Sequence, residues 1–434
     1  MAAKELDSFR LTSNSQHLER SHVFFLEAAK GYEESHYKVP YIYTNLANVA
    51  WKLAELKGET PDADTLRTII SNAEKAKSLT DKEDADELLG YASLCKNIGT
   101  YYRSLYLLTK DDKEKKGALE HHETAHSIIS KFCIDNEQPN YPPLKYALIE
   151  LATTRRTIAN MTRDEAQLKQ AIADLSDAQG IESNDDGLAH VLCLRELGAA
   201  YELRVYLDRD GSDMTEAISY YQAALVAAAE CGSATRERAY ILGKLSMALS
   251  QRNGAGDLEE AIGRVREASA IYDAVGGKDP VSLYRLGNLL WRRFDHTYGE
   301  GAQTSSSAMT KEATQDLRDA LELYKASYAE LSTEKKIRAL FDIALLHFNL
   351  WELPLARDDD DLNHSETFAR LAKEAWPDDC RGGELRGEQQ LKESDVDDLL
   401  KEIATLRIPV GSGRRAPRRQ QTVTLAAHVP DAVR

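Results

Sequence analysis

Proline is scarce in this sequence, 11 in 434 residues, so few stretches are barred from forming helix. Cysteine is scarce too. Cys95, Cys133, Cys193, Cys231 and Cys380 lie far apart with no CxxC spacing. An odd, scattered set excludes a disulfide framework or a cysteine zinc ribbon, and reads as small apolar fillers in a reducing compartment. No apolar run approaches the roughly 18 residues of a membrane span; the longest, 223–229, is alanine-rich and ends at Glu230. The opening MAAKELDSFR has no apolar core for a signal peptide. Net positive charge is also missing. The formal charge is −16, which argues against nucleic-acid or anionic-membrane binding, since both need neutralising Lys and Arg. GxxxxGK[ST], GxGxxG and GxSxG are absent, as is a cysteine supported by a His/Asn pattern. The expected setting is cytoplasmic or nuclear.

What remains is helical period. From residue 16 to 376 almost every segment reads with apolar residues three and four apart, broken by short polar or glycine-containing turns. No stretch alternates convincingly as a strand. Thr60-Pro61 offers an N-cap with proline at the first helical position. Thr162-x-x-Glu165, Asp213-x-x-Glu216 and Asp257-x-x-Glu260 have the spacing of capping boxes.

The segments repeat. LKQAI (168–172), MTEAI (214–218), LEEAI (258–262) and LRDAL (317–321) recur, their alanines at 171, 217, 261 and 320. Upstream of them a second signature keeps phase: Ile98-Gly99, Leu197-Gly198, Leu242-Gly243 and Leu286-Gly287. Stretch 299–309, GEGAQTSSSAM, lengthens the last interval and reads as a polar loop. Each unit is then a pair of antiparallel helices, with Gly in the first and Ala in the second permitting close approach. A second Ala seven residues on repeats the contact: Ala118/Ala125, Ala171/Ala178, Ala217/Ala224 and Ala261/Ala268. One pair cannot bury its apolar stripe alone, so pairs must stack.

Leu197-Gly198-x-x-Tyr201 in a first helix and Ala217-x3-Tyr221-x2-Ala224 in a second resemble the tetratricopeptide repeat (TPR). The resemblance covers most of residues 40–376, but the unit is longer, roughly 44 residues against the family's roughly 34. It is similar in this to the long-repeat arrays of eukaryotic scaffolds and of sensor regions in signalling ATPases. The fold it implies is all-α: a right-handed α-solenoid of stacked antiparallel helix pairs. The expected organisation is an N-terminal helix within 1–39 packing on the first repeat, then about seven helix pairs over 40–380. A C-terminal capping helix within 381–408 and a disordered basic tail, 409–434, complete it. First helices are expected to start near 40, 86, 143, 187, 235, 280 and 335.

Two further patterns carry chemistry. Residues 121–126 read HHETAH, and His122-Glu123-x-x-His126 matches the H-E-x-x-H of zinc peptidases, in which two histidines one turn apart bind zinc beside a glutamate base. Glu150 is the candidate third ligand. The repeat gives a competing register, in which His122 aligns with Leu175, Tyr221, Val265 and Tyr324, a bulky column between helices. The metal reading is therefore held as the alternative, and no metal or cofactor is expected. Asp358–Asp361 and 208–213 (DRDGSD) resemble Mg²⁺ and Ca²⁺ motifs only superficially, because residue 362 is Leu and residue 219 is Ser. They read as a solvated loop and a helix-capping turn.

In TPR arrays the first helices line a concave groove, which by resemblance places groove positions at −6, −3, +1, +4 and +5 from each unit's Gly or its equivalent. Lys52, Lys96, Arg103, Arg156, Arg195, Lys244 and Arg292 fall there, against only Glu202 and Glu237. Asn48-x-x-Trp51-Lys52 recurs as Asn288-x-x-Trp291-Arg292. Here Asn can bind a peptide backbone, Trp can supply an apolar floor and the cation can take a carboxylate. The carboxylate clamp of chaperone-binding TPRs is matched at Asn48 and Asn97, while Thr44, Tyr146 and Glu150 stand where it has basic residues. The function expected is a non-enzymatic protein-interaction scaffold that takes an acidic or C-terminal peptide segment.

Overall fold

A computed structural model describes residues 1–12, 15–33, 36–56, 61–80, 85–182, 187–208, 212–232, 235–274, 279–298, 307–331, 333–352, 358–376, 384–385 and 391–406. It divides into two compact units, Met1–Leu207 and Asp208–Arg434.

The first unit runs α1 (Ala2–Thr12), α2 (Ser15–Gly31), α3 (Val39–Leu56), α4 (Ala63–Leu79), α5 (Ala85–Thr109), α6 (Asp112–Asp135), α7 (Pro142–Thr162), α8 (Glu165–Gly180) and α9 (Gly187–Asp208). From α1 to α8 each helix packs on the next, and α5 also meets α7. That α5–α7 contact between first helices is the signature of stacked pairs. The second unit runs α10 (Ser212–Glu230), α11 (Thr235–Arg252), α12 (Asp257–Ala274), α13 (Pro280–Tyr298), α14 (Ser307–Ser327), α15 (Thr333–Glu352) and α16 (Asp359–Glu374). After α16 a two-residue antiparallel pair, Glu384–Leu385 with Leu391–Lys392, leads into α17 (Glu393–Leu406). The fold is all-α, an array of helix pairs of the solenoid class. Among the described residues no helix is long and apolar enough to cross a membrane.

The core follows the sequence repeat. The alanines of all four Ala/Ala pairs are at most 1% exposed. A Cβ added to Gly99 would stand 2.7 Å from the His122 ring, and one on Gly287 2.9 Å from the ring of Tyr324. These two glycines therefore exist to admit a ring from the second helix. Cys95 and Cys193 are fully buried, and burial pushes the Cys193 thiol up to about 11, so it packs as an apolar filler.

Local punctuation departs from expectation in four places. A further helix, α1, precedes the expected N-terminal one, its Ala2 carbonyl accepting from the buried Ser21. Two N-caps are aspartates rather than threonines. Asp62 accepts from the Thr65 amide at 2.7 Å, and Asp164 from those of Ala166 and Gln167; carboxylates immediately before a helix hold its free N–H groups best. Thr162 instead ends α7, its hydroxyl on Ile158 O. Asp257 binds Arg252 and the Gly254 amide rather than closing a capping box. Residues 307–309 belong to α14 and not to a loop, while 299–306 lie outside the described residues. Residues 209–211 and the basic tail lie outside them too.

Candidate functional site

Helical spacing puts Asn48, Trp51 and Lys52 on one face of α3, and α5 presents Lys96, Asn97, Thr100 and Tyr101 beside it. Together with Glu150 of α7 they line a cleft of about 340 Å³ in the first unit. Its polar groups are ordered. Asn48 Oδ1 accepts from the Tyr101 hydroxyl at 2.8 Å and from Asn97 Nδ2 at 3.1 Å. Among the described residues that leaves the amide protons of Asn48 and the carbonyl of Asn97 without a partner. The rings of Trp51 and Tyr101 meet at 5.1 Å. Lys96 Nζ lies 5.9 Å from the Tyr146 ring centre, and it makes no ion pair among the described residues.

Beneath the cleft lies a polar floor. Arg103 donates to Glu150 Oε2 at 2.9 Å, to the Glu150 carbonyl at 3.2 Å and to the Thr154 hydroxyl at 3.1 Å. The Thr154 hydroxyl also contacts His122 Nδ1 at 2.9 Å, and Thr100 reaches Nε2 at 3.4 Å. Burial pushes the His122 imidazole down to about 3, with the Arg103 charge adding to the effect, so it is neutral at neutral pH. Burial pushes the Glu150 carboxyl up, but Arg103 and the other positive groups around it together outweigh this and the net shift is downward. Glu150 is thus ionised and already neutralised.

Three of the arginines expected in the groove are paired with carboxylates. Arg103 belongs to Glu150. Arg156 donates to Glu196 through Nε and Nη2, at 3.1 and 2.7 Å, and Arg195 reaches the other Glu196 oxygen at 2.6 Å. Burial pushes Glu196 up, yet the two guanidiniums hold it at about 2. Glu150 and Glu196 occupy the −2 position of their units, one of the columns outside the groove set. Each takes the +4 arginine of the preceding unit, making a ladder of ion pairs between successive first helices.

The second Asn/Trp/cation set lies in the other unit and is committed to packing. Asn288 accepts from the Tyr324 hydroxyl. Trp291 is only 7% exposed. Arg292 donates to the Ser250 carbonyl at 2.8 Å. Lys244 is half-buried on α11.

The HHETAH segment falls in the middle of α6. His122 is 1% exposed, as are Tyr221, Val265, Tyr324 and Leu175 of its repeat column within that same percent. His126 faces Ser130 at 3.1 Å, and Glu123, the base of the peptidase reading, pairs with Arg155 at 3.1 Å. His121 contacts the Gly117 carbonyl at 2.8 Å and Glu74 at 3.0 Å. His122, His126 and Glu150 do not bring three donor atoms within 4.8 Å of one another; the one group that does so among the described residues is His347, Asp361 and His364. The i,i+4 spacing places both α6 histidines on one face, but that face packs against neighbouring helices.

No family model matches the sequence, and no curated protein matches it. Solved structures do. The Rap protein complexed with competence and sporulation factor is 13% identical over 93% of this chain and 98% of its own, with a TM-score of 0.42. A signal transduction ATPase with numerous domains and a tetratricopeptide repeat sensor, from Pyrococcus horikoshii, is 12% identical over 86% of this chain and 53% of its own, at 0.43. A Sel1 repeat protein from Oxalobacter formigenes is 13% identical over 73% of this chain and all of its own, at 0.35. At these identities and TM-scores the structures are only what this chain is similar to, and its function rests on its own residues.

Proposed function

We propose that this chain is a non-enzymatic adaptor, and that the α3–α5–α7 cleft takes an acidic or C-terminal peptide segment of a partner protein. The observation that carries the reading is one of convergence. Asn48, Trp51, Lys52 and Lys96, singled out by repeat position, and Asn97, matched to the carboxylate clamp, line a single cleft. Its one lining carboxylate among the described residues, Glu150, is held by Arg103. A ligand carboxylate would meet Lys96 and Lys52. Its backbone would meet the Asn48 amide protons and the Asn97 carbonyl, and an apolar side chain would lie on Trp51. Exposed pairs contribute only about 0.2–1 kcal/mol each, so binding would rest on several groups together and weaken with salt.

The test is selection of peptides from a display library on the full chain, followed by binding of the best sequences to a Lys52→Glu/Lys96→Glu variant. Enrichment of acidic or C-terminal-carboxylate peptides, with binding reduced at least about tenfold in the variant, is expected. Binding indifferent to both charge reversals would remove the proposal.

A further inference from the structure

The second unit holds a side-chain cluster that helix packing does not explain. Asp361 and His364 stand three residues apart in the first turns of α16, on one face. His347 of α15 lies opposite, 3% exposed. Its Nδ1 is 2.7 Å from Asp361 Oδ1, and its ring centre is 5.0 Å from that of His364. One donor atom from each of the three lies within 4.8 Å of the others. Asp361 was read from the sequence as part of a solvated loop. It is instead a helical residue behind the N-cap Asp358.

The imidazole of His347 is used on one side only. Its Nε2 is buried and has no hydrogen-bond partner among the described residues. The packing histidine of the other unit behaves differently, with a threonine hydroxyl at each ring nitrogen of His122. With its proton on Nε2 the His347 ring turns the Nδ1 lone pair toward Asp361, so two imidazoles and a carboxylate present three donor atoms to one point, an arrangement suited to a cation.

We propose that His347, Asp361 and His364 bind a divalent transition-metal ion of the zinc class. Two imidazoles and one carboxylate are borderline donors; Mg²⁺ and Ca²⁺ require an oxygen shell that this cluster does not supply. An ion about 2.0–2.2 Å from each donor holds them roughly 3.4 Å apart in tetrahedral geometry. The cluster reaches that with a small opening of the His347–Asp361 pair and a rotation of the exposed His364. Three protein donors leave a fourth position for water or for a group from a partner. The ion would tie α15 to α16 in the same unit.

Equilibrium dialysis and calorimetry of the full chain, stripped with chelator and titrated with Zn²⁺ alone, test this. One equivalent should bind saturably. His364→Ala, at an exposed side chain, and Asp361→Asn should each weaken binding by about tenfold or more. His126→Ala should leave it unchanged. Co²⁺ in place of Zn²⁺ should give the visible bands of a nitrogen–oxygen tetrahedral site in the parent and not in His364→Ala. Absence of saturable binding, or binding equal in parent, His364→Ala and Asp361→Asn, would overturn the assignment, as would loss of binding in His126→Ala.

Discussion

Acidification should unload a definite amount of stability through His122 of α6. In the folded chain its imidazole is held down to about 3, chiefly by burial, whereas in the unfolded chain it returns to its ordinary 6.5. The folded value is depressed, so the contribution is fully present above the unfolded value and drains away as pH falls from there toward the folded value. Between those limits the unfolded chain carries one more proton, and each pH unit costs about 1.4 kcal/mol. From pH 7 to pH 5 the loss works out to about 2 kcal/mol. The effect must be isolated from the chain's other ionisable groups. His122→Leu does this, because Leu175 fills the same repeat column and is fully buried. Urea unfolding of both proteins, followed by circular dichroism at several pH values, is the assay. The parent's stability should fall relative to His122→Leu by about 2 kcal/mol over that interval. Stability curves that stay parallel would show that His122 is not held neutral in the helix interface.

Other substitutions read the same architecture. Gly287→Ala forces a Cβ against the fully buried ring of Tyr324 and should cost about 1–3 kcal/mol by denaturation, whereas Gly263→Ala on the open face of α12 meets nothing and should gain up to about 1 kcal/mol. Glu196→Gln removes the negative charge shared by Arg156 and Arg195 and puts an NH2 donor in place of one of the two accepting oxygens. It should cost roughly 2 kcal/mol, short of the roughly 3–5 of a fully buried pair because those guanidiniums keep 23% and 20% exposure. The Glu196 carboxyl is depressed to about 2, so its contribution stands above the unfolded carboxylate range and is lost as pH falls toward the folded value. The Glu196→Gln variant should therefore show a flatter acid limb than the parent.

Local repeats made much of this legible. The first helices begin at Val39, Ala85, Pro142, Gly187, Thr235, Pro280 and Thr333, within two residues of the starts read from the sequence, because the spacing of Gly and Ala marks where two backbones must approach. His122 could be assigned to the core for the same reason: it shares a column with Tyr221 and Tyr324. The counter-charges could not be read in this way. Glu150 and Glu196 lie 47 and 40 residues from their arginines, and a count of charges at fixed positions cannot show which column turns to meet them. The His347–Asp361 pair had no repeat column to place it, and Asp361 was hidden in an acidic run that resembled a loop. Aspartate caps won over threonines through two-residue differences in where a helix begins.

Trp51 gives the most direct test of the central claim. It is the one tryptophan in residues 1–207, and it lines the cleft. Fluorescence titration with an acidic peptide should be run with a free and with an amidated C-terminus, and repeated on Lys96→Glu. Tryptophans of the second unit are controlled for by a Trp51→Phe titration. The account predicts a saturable Trp51 signal that is weakened by Lys96→Glu and by added salt. A peptide that binds the chain without changing Trp51 emission, or equally well after Lys96→Glu, would contradict it.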